Sequence, residues 1–300
     1  MSYFVRQAGS SAGDRFRDLL AQGGILRIPG AHNGMAALQA KAAGFQALYL
    51  SGAAMSASMG LPDLGILTLD DVAFFVRQVA RAGGLPVLVD GDTGYGEALN
   101  VMNMVRCFED AGAAAVHLED QLLPKKCGHL NDKRLAEAPY MAAKIAAAAR
   151  ARRHLYIIAR TDSVASEGFD AAVARCRLYM QAGADAIFPE ALTSVDMFER
   201  FACALPNVPM LANMTEFGRT PYVPGTQFER MGYRMVIWPV SSLRMANKAQ
   251  ERLYETLARE DGVYSLLGAM QTRAELYEAI GYDTYETLDR AIIKSILPPA

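Results

Sequence analysis

Cysteine is scarce in this chain: four in 300 residues, at Cys107, Cys127, Cys176 and Cys203. They lie far apart with no CxxC or other paired spacing. That excludes a disulfide scaffold and a structural zinc site, and it fits a reducing cytoplasm, the expected location. A surplus of positive charge is also missing. With 30 Lys and Arg against 32 Asp and Glu, the formal net charge is −2, so no nucleic-acid partner is expected. No apolar run reaches the roughly 18 residues of a membrane span, so no membrane partner is expected. Met1 to Ser11 lacks the apolar centre of a secretory signal. No tract is low in complexity, and the Pro-Pro-Ala end reads as a loose tail.

What is present is the composition of a soluble globular protein, 52% hydrophobic and 21% charged. Its length suits an α/β barrel folded as one domain. Short apolar runs recur with helical sequence after each: Ile25–Ile28, Ala47–Leu50, Pro86–Val89, Ala115–Leu118, Leu155–Ile158, Ala186–Phe188, Pro209–Ala212 and Met235–Trp238. Runs of this kind read as parallel strands buried on both faces. A glycine precedes several of them (Gly44, Gly83, Gly112, Gly183, Gly232), suited to the left-handed residue that ends a helix. Eight strands with crossover helices specify a (β/α)8 TIM-type barrel. The other arrangement is an open doubly wound sheet, but no GxGxxG follows the first strand. Polar residues collect at the C-terminal strand ends, from His32 and Asn33 through Ser51, Asp90, Glu119, Arg160 with Asp162, Glu190 and Asn213 to Ser241. That is the catalytic face of such a barrel.

Lys125-Lys126-Cys127-Gly128-His129 sets a thiol between ammonium groups and an imidazole. Nearby positive charge raises a thiol's thiolate fraction. Cys127, with Lys125 and His129 beside it, is therefore a candidate for proton transfer or attack on an electrophile. The pentapeptide alone also reads as a solvated basic loop. Gln121 to Ala138 has no apolar periodicity, and a loop of that length in a compact domain is commonly a lid. Asp90-Gly91-Asp92 puts two carboxylates within reach of one hard cation, although DxD before glycines is also a common turn. Mg²⁺ takes one or two carboxylates and fills its shell with water and substrate oxygens; Glu119 and Asp63 would act through water. Arg160, Arg244 and Arg273 are candidate carboxylate clamps. Arg273 also opens Thr272-Arg273-Ala274-Glu275, a capping-box spacing that would leave it exposed. Ser51-Gly52-Ala53, Asn213 and Thr215 offer donors to substrate oxygens. Together these imply a small polycarboxylate substrate.

The motifs LYLSG (Leu48 to Gly52), GLPDLG with TLDD (Gly60 to Asp71), VDGDTGYG (Val89 to Gly96), HLEDQ (His117 to Gln121), KKCGH, IARTD (Ile158 to Asp162), FPEA (Phe188 to Ala191), LANMTEFGRTP (Leu211 to Pro221) and MQTRAELYE (Met270 to Glu278) resemble the isocitrate lyase and phosphoenolpyruvate mutase superfamily. The likeness runs from about Phe16 to Glu286 and is strongest to the bacterial methylisocitrate lyases. It implies one barrel domain over 1–300, with 263–300 as a helical extension exchanged between subunits of a homotetramer. It implies Mg²⁺-dependent cleavage (or Mn²⁺ in its place) of 2-methylisocitrate to pyruvate and succinate, in the methylcitrate cycle of propionate catabolism. Related activities in the superfamily are isocitrate lyase, 2,3-dimethylmalate lyase, oxaloacetate hydrolase and phosphonomutase. By resemblance Asp90 binds the metal, with Asp92, Asp63 and Glu119 around it. Ser51, Gly52, Ala53, Arg160, Glu190, Asn213, Thr215, Gly218, His129, Arg244 and Arg273 surround the substrate, and Cys127 transfers the proton. Tyr49 is the candidate base. Phe188, Ile237 and Pro239 would wall the substrate methyl. Lys126, Gly91 and Trp238 depart from the usual pattern.

Overall fold

The computed structural model describes residues 3–5, 9–128, 130 and 133–292. Eight strands alternate with helices: β1 (Leu26–Pro29), β2 (Leu48–Leu50), β3 (Val87–Asp90), β4 (Ala115–Glu119), β5 (Tyr156–Thr161), β6 (Ala186–Pro189), β7 (Leu211–Asn213) and β8 (Met235–Trp238). All are parallel, paired as β1-β8-β7 and as β2 through β6 in sequence order. Single parallel bridges close both seams, Gly30 with Tyr49 and Ile187 with Met210. The closed (β/α)8 ring expected from the apolar runs is therefore present.

Side chains of a strand alternate between two faces. Leu50, Val89, Val116, Leu118, Ile157 and Ile187 face outward and pack with the helices. Ile28, Tyr49, Leu88, Ala115, Ile158, Phe188, Leu211 and Ile237 form a separate inner cluster. Phe16, from the helix Ala12–Ala21, joins that inner cluster and is 0% exposed. Its ring meets Tyr156 at 5.4 Å. Burying a side chain of this size contributes about 2–3 kcal/mol, and here it fills the barrel at the strand starts. Followed two residues at a time, the inner register leads from Tyr49 to Ser51, from Leu88 to Asp90, and from Ala115 through His117 to Glu119. It also leads from Ile158 to Arg160, from Phe188 to Glu190 and from Leu211 to Asn213. The polar strand ends converge because they share the parity of the inner core.

Gly44, Gly112, Gly183 and Gly232 have φ of 91°, 100°, 108° and 93°, as a left-handed helix stop requires. In Arg81-Ala82-Gly83-Gly84 the helix Leu69–Gly83 runs one residue further than expected. Gly84, with φ 65°, takes the stop instead of Gly83.

The chain divides into two compact units, Ser10–Met245, which holds the barrel, and Ala246–Ala300 with Met1–Gly9. In the second unit Tyr277 stacks on Tyr282 at 4.7 Å and Phe4 meets Tyr285 edge-on at 5.6 Å. The Thr272–Glu275 capping box forms, and Arg273 begins the helix Arg273–Ile280 with its side chain exposed. Among the described residues no helix is long and apolar enough to cross a membrane.

Candidate active site

At the C-terminal strand ends lies a cavity of about 100 Å³ that opens to solvent. Tyr49, Ser51, Ala53, Asp63, Asp90, Lys125, Cys127, Arg160, Glu190, Asn213, Thr215 and Arg244 all line it. Gly52, Asp92 and Glu119 stand behind that lining. Gly218 lies in the loop after β7 and does not line the cavity. Arg273 belongs to the other unit, and His129 lies outside the described residues. Ser51 also caps the helix Gly52–Ser58.

The DxD segment is held from several sides. Asp90 accepts from Gly52 N at 3.0 Å and from Asp92 N at 3.1 Å. Lys125 Nζ sits 2.5 Å from both Asp63 Oδ1 and Asp92 Oδ1. The Asp92 contact is an ion pair without hydrogen-bond alignment. Burial opposes the Lys125 charge, but Asp92, Asp90, Glu119 and Asp63 more than offset it and keep Lys125 an ammonium. It is therefore not a resting base. Burial also opposes ionisation of Asp90, but Lys125 and Arg160, and His117 whenever it is protonated, hold Asp90 below the usual carboxylate range. Burial, against Lys125 and with Asp90, raises Asp92 to about 6. Burial likewise holds Glu119 well above its ordinary value, against Arg160. Glu119 Oε1 is buried without a hydrogen-bond partner. Among the described residues no three His, Cys, Asp or Glu side chains form a ready-made metal cage. Hard oxygen donors, one of them orphaned, in a pocket that resists further negative charge still fit a cation such as Mg²⁺, which relies on water and substrate oxygens for most of its shell.

Arg160 is buried, and its Nε and Nη2 donate to the two oxygens of Asp162 at 2.9 and 3.2 Å. Its Nη1 lies 3.3 Å from Glu119 Oε2 and 3.9 Å from Glu190 Oε2. Asn213 Nδ2 bridges both Glu190 oxygens at 3.2 and 3.3 Å. Arg244, at the rim, already donates to the Glu216 carbonyl at 2.6 Å and to its carboxylate at 3.0 Å.

Sequence reading missed His117, a buried imidazole inside the apolar run of β4. Its Nε2 is 2.8 Å from the Tyr49 hydroxyl and 3.7 Å from Asp90 Oδ1. Burial, against Asp90, lowers His117 to about 4, so it is neutral at pH 7. Burial and Asp90 push the Tyr49 phenol well above its ordinary value, so it rests as a phenol. The available signal was parity: His117 lies midway between Ala115 and Glu119 on the inward face. Gly91 is required here, since a Cβ would meet Val116 Cγ2 at 2.7 Å and His117 O at 2.9 Å.

The segment from Asp120 to Glu137 contains no helix or strand among its described residues. The Gln121 side chain brackets Lys126, donating to its carbonyl at 2.8 Å and accepting from its N–H at 3.0 Å. Leu130 N closes a turn on Cys127 O at 2.9 Å. Gly128 is buried; a Cβ there would lie 2.3 Å from Glu190 Cγ, 2.8 Å from Arg160 Nη2 and 2.9 Å from Asp162 Oδ1. The cysteine turn thus packs directly on the arginine clamp.

Residues 16–258 match the family model described as phosphoenolpyruvate phosphomutase. The chain is 52% identical over 300 residues to 2-methylisocitrate lyase of Bacillus subtilis (strain 168), covering 99% of each. It is similar to the crystal structure of 2,3-dimethylmalate lyase, a PEP mutase/isocitrate lyase superfamily member, with TM-score 0.89 and 34% identity over 94% of this chain and 96% of that one. Phosphonopyruvate hydrolase in complex with oxalate and Mg²⁺ matches with TM-score 0.86 and 28% identity, over 95% of this chain and 100% of that one. On barrel, motifs and breadth of match, the chain belongs to the phosphoenolpyruvate mutase/isocitrate lyase superfamily.

Proposed function

We propose that this chain is a divalent-metal-dependent carbon–carbon lyase that cleaves 2-methylisocitrate to pyruvate and succinate, in the cytoplasmic methylcitrate cycle of propionate catabolism. The observation that carries it is one cavity lined at once by Asp90, Arg160 and Cys127. The 52% identity to a 2-methylisocitrate lyase selects the substrate. Asp90, with Asp92, Asp63 and Glu119 around it, would hold Mg²⁺ or Mn²⁺. When bound, the ion supplies a Lewis acid that polarises substrate oxygens.

The protein's own residues do the rest. Arg160 is oriented by Asp162 and offers Nη1 to a substrate carboxylate. Ser51, Asn213, Thr215 and the Ala53 backbone donate to the remaining oxygens, with His129 and Arg244 completing the shell by family likeness. Tyr49 takes the substrate hydroxyl proton as it passes its own to His117 Nε2, so the phenolate never stands free. The carbon–carbon bond breaks, its electron pair stays on the succinate-like fragment, and the Cys127 thiol protonates that carbon. Phe188 and Pro239 line the cavity and suit the substrate methyl; Ile237 does not line it. A methyl contact discriminates by about 1–3 kcal/mol. Tyr264, Tyr254, Ile292 and Leu267 are exposed in the C-terminal unit. An apolar surface of this kind supports subunit contact, and we propose a homotetramer with an exchanged C-terminal segment.

The test is pyruvate and glyoxylate release from racemic 2-methylisocitrate and from isocitrate, with Mg²⁺ and with EDTA. Metal-dependent pyruvate in excess of glyoxylate is expected. Dominant glyoxylate would move the reading to isocitrate cleavage, and silence on both would overturn it.

A further inference from the structure

Beside the site stands a buried ammonium that the proposed reaction does not use. Lys133 Nζ donates to the Gly128 carbonyl at 2.6 Å and to Asp162 Oδ1 at 3.0 Å. Its side chain is 6% exposed and that of Asp162 is 0% exposed. Asp162 Oδ1 is the same oxygen that takes Arg160 Nη2 at 3.2 Å. A solvated lysine seeks water and gains little from a surface pair. This one is withdrawn from water and has two of its three donors placed on groups belonging to different parts of the site.

We propose that Lys133 is a positioning residue that latches the Cys127–Gly128 turn to the Arg160–Asp162 pair. Through this link the placement of the proton-transferring thiol depends on the orientation of the carboxylate clamp. Gly128 contributes by lacking a side chain, which lets the turn come close enough for its carbonyl to reach Lys133. Within the turn itself, the Leu130 N to Cys127 O bond at 2.9 Å is local and cannot anchor it to the barrel. Lys133 ties the turn's own backbone to the residue that follows β5. The inference rests on the proposed lyase reading for its kinetic arm only.

The experiment compares the parent with Lys133→Met, which keeps the chain length and removes the charge, and with Lys133→Arg, which keeps it. Two readouts are taken. The first is the rate of Cys127 carbamidomethylation by iodoacetamide, followed by mass spectrometry of the Cys127 peptide, with Cys203 as an internal exposed control. The second is kcat and KM on 2-methylisocitrate with Mg²⁺. Lys133→Met is expected to speed Cys127 alkylation about tenfold relative to Cys203, because the turn opens more often. It is expected to lower kcat roughly 10²-fold, as a misplacement of about 1 Å does, with KM changing far less. Lys133→Arg should recover part of both. Unchanged alkylation overturns the latch, as does a loss confined to KM. A Lys133→Met protein whose melt loses cooperativity is replaced by Lys133→Gln, which keeps N–H donors but carries no charge to pair with Asp162. If that variant also fails to fold, Lys133 is a stability residue and the latch is overturned. Should the parent show no lyase activity, the alkylation arm still decides the latch while the functional reading alone fails.

Discussion

Gly128→Ala isolates placement from chemistry, because it removes no functional group. The backbone at Gly128 is not in the left-handed region, so alanine suits the conformation and only space opposes it. The new methyl would sit 2.3 Å from Glu190 Cγ, about 1.1 Å inside the 3.4 Å at which ordinary contact begins. The neighbours cannot easily give way. Glu190 is held by Asn213 through both oxygens, and Arg160 by Asp162 through two donors. The turn must therefore move outward by about that distance, taking Cys127 with it. A 1 Å misplacement of a reacting group costs on the order of 10²-fold, equivalent to about 2.7 kcal/mol of barrier. Steady-state kinetics on 2-methylisocitrate should show kcat down roughly 10²-fold and KM shifted much less. The melting temperature should stay within a few degrees. A kcat within threefold of the parent would refute the idea that turn placement limits the reaction.

Cys127→Ser should fold normally and lose about 10²- to 10⁴-fold in kcat, since a hydroxyl is a far weaker acid than a thiol; near-parent turnover would remove the thiol from the reaction. Asp90→Ala should move the Mg²⁺ activation midpoint up by 10- to 100-fold or more, given that even residues behind metal ligands are worth that much; an unchanged titration would remove Asp90 from the metal set. Glu109, away from the cavity, accepts through Oε1 from the N–H groups of Arg153, His154 and Leu155 at 2.7, 2.7 and 2.9 Å. Burial opposes its ionisation, but these bonds and Arg153 lower its pKa from 4.5. Its stabilising contribution is thus full above that value and fades as pH falls below it. Glu109→Gln should lower stability by about 1–3 kcal/mol at pH 7, with the urea-midpoint gap narrowing from pH 5 downward; a gap constant with pH would refute the assignment.

Most of the barrel was legible because buried parallel strands leave continuous apolar runs. The Met235–Trp238 run matches β8 residue for residue. The site was legible where strand parity carries it: Ser51, Asp90, Arg160, Glu190 and Asn213 all extend the inner register. What escaped reading depended on the third dimension. His117 is masked by the apolar run that contains it, and only its partners Tyr49 and Asp90 reveal a role. Lys133 looks like any loop lysine until its contact with Asp162, 29 residues on, is seen. Arg244 has the right residue type and place, yet Glu216 already holds it. Lys125 is drawn into the carboxylates, and adjacency in sequence to Cys127 could not show that.

The charge balance of the site makes a prediction about order of binding. Among the described residues, the acidic groups Asp63, Asp90, Asp92, Glu119, Asp162, Glu190 and Glu216 outnumber Lys125, Lys126, Lys133, Arg160 and Arg244 around the cavity. Burial is what chiefly raises Asp92 and Glu119, and the neighbouring Asp90 adds to it in both. A tricarboxylate entering such a pocket meets repulsion that one bidentate arginine, already paired with Asp162, does not offset. A divalent cation reverses the local sign, so it must precede or accompany the substrate. Thermal denaturation checks this without any turnover. Succinate at about 100 times its dissociation constant should stabilise the Mg²⁺-loaded protein by about 2.7 kcal/mol. The same succinate in EDTA should leave the melting temperature unmoved. Equal stabilisation in EDTA would show that the arginine and amide donors hold the anion unaided, and the acidic groups would then need a role other than calling in the metal.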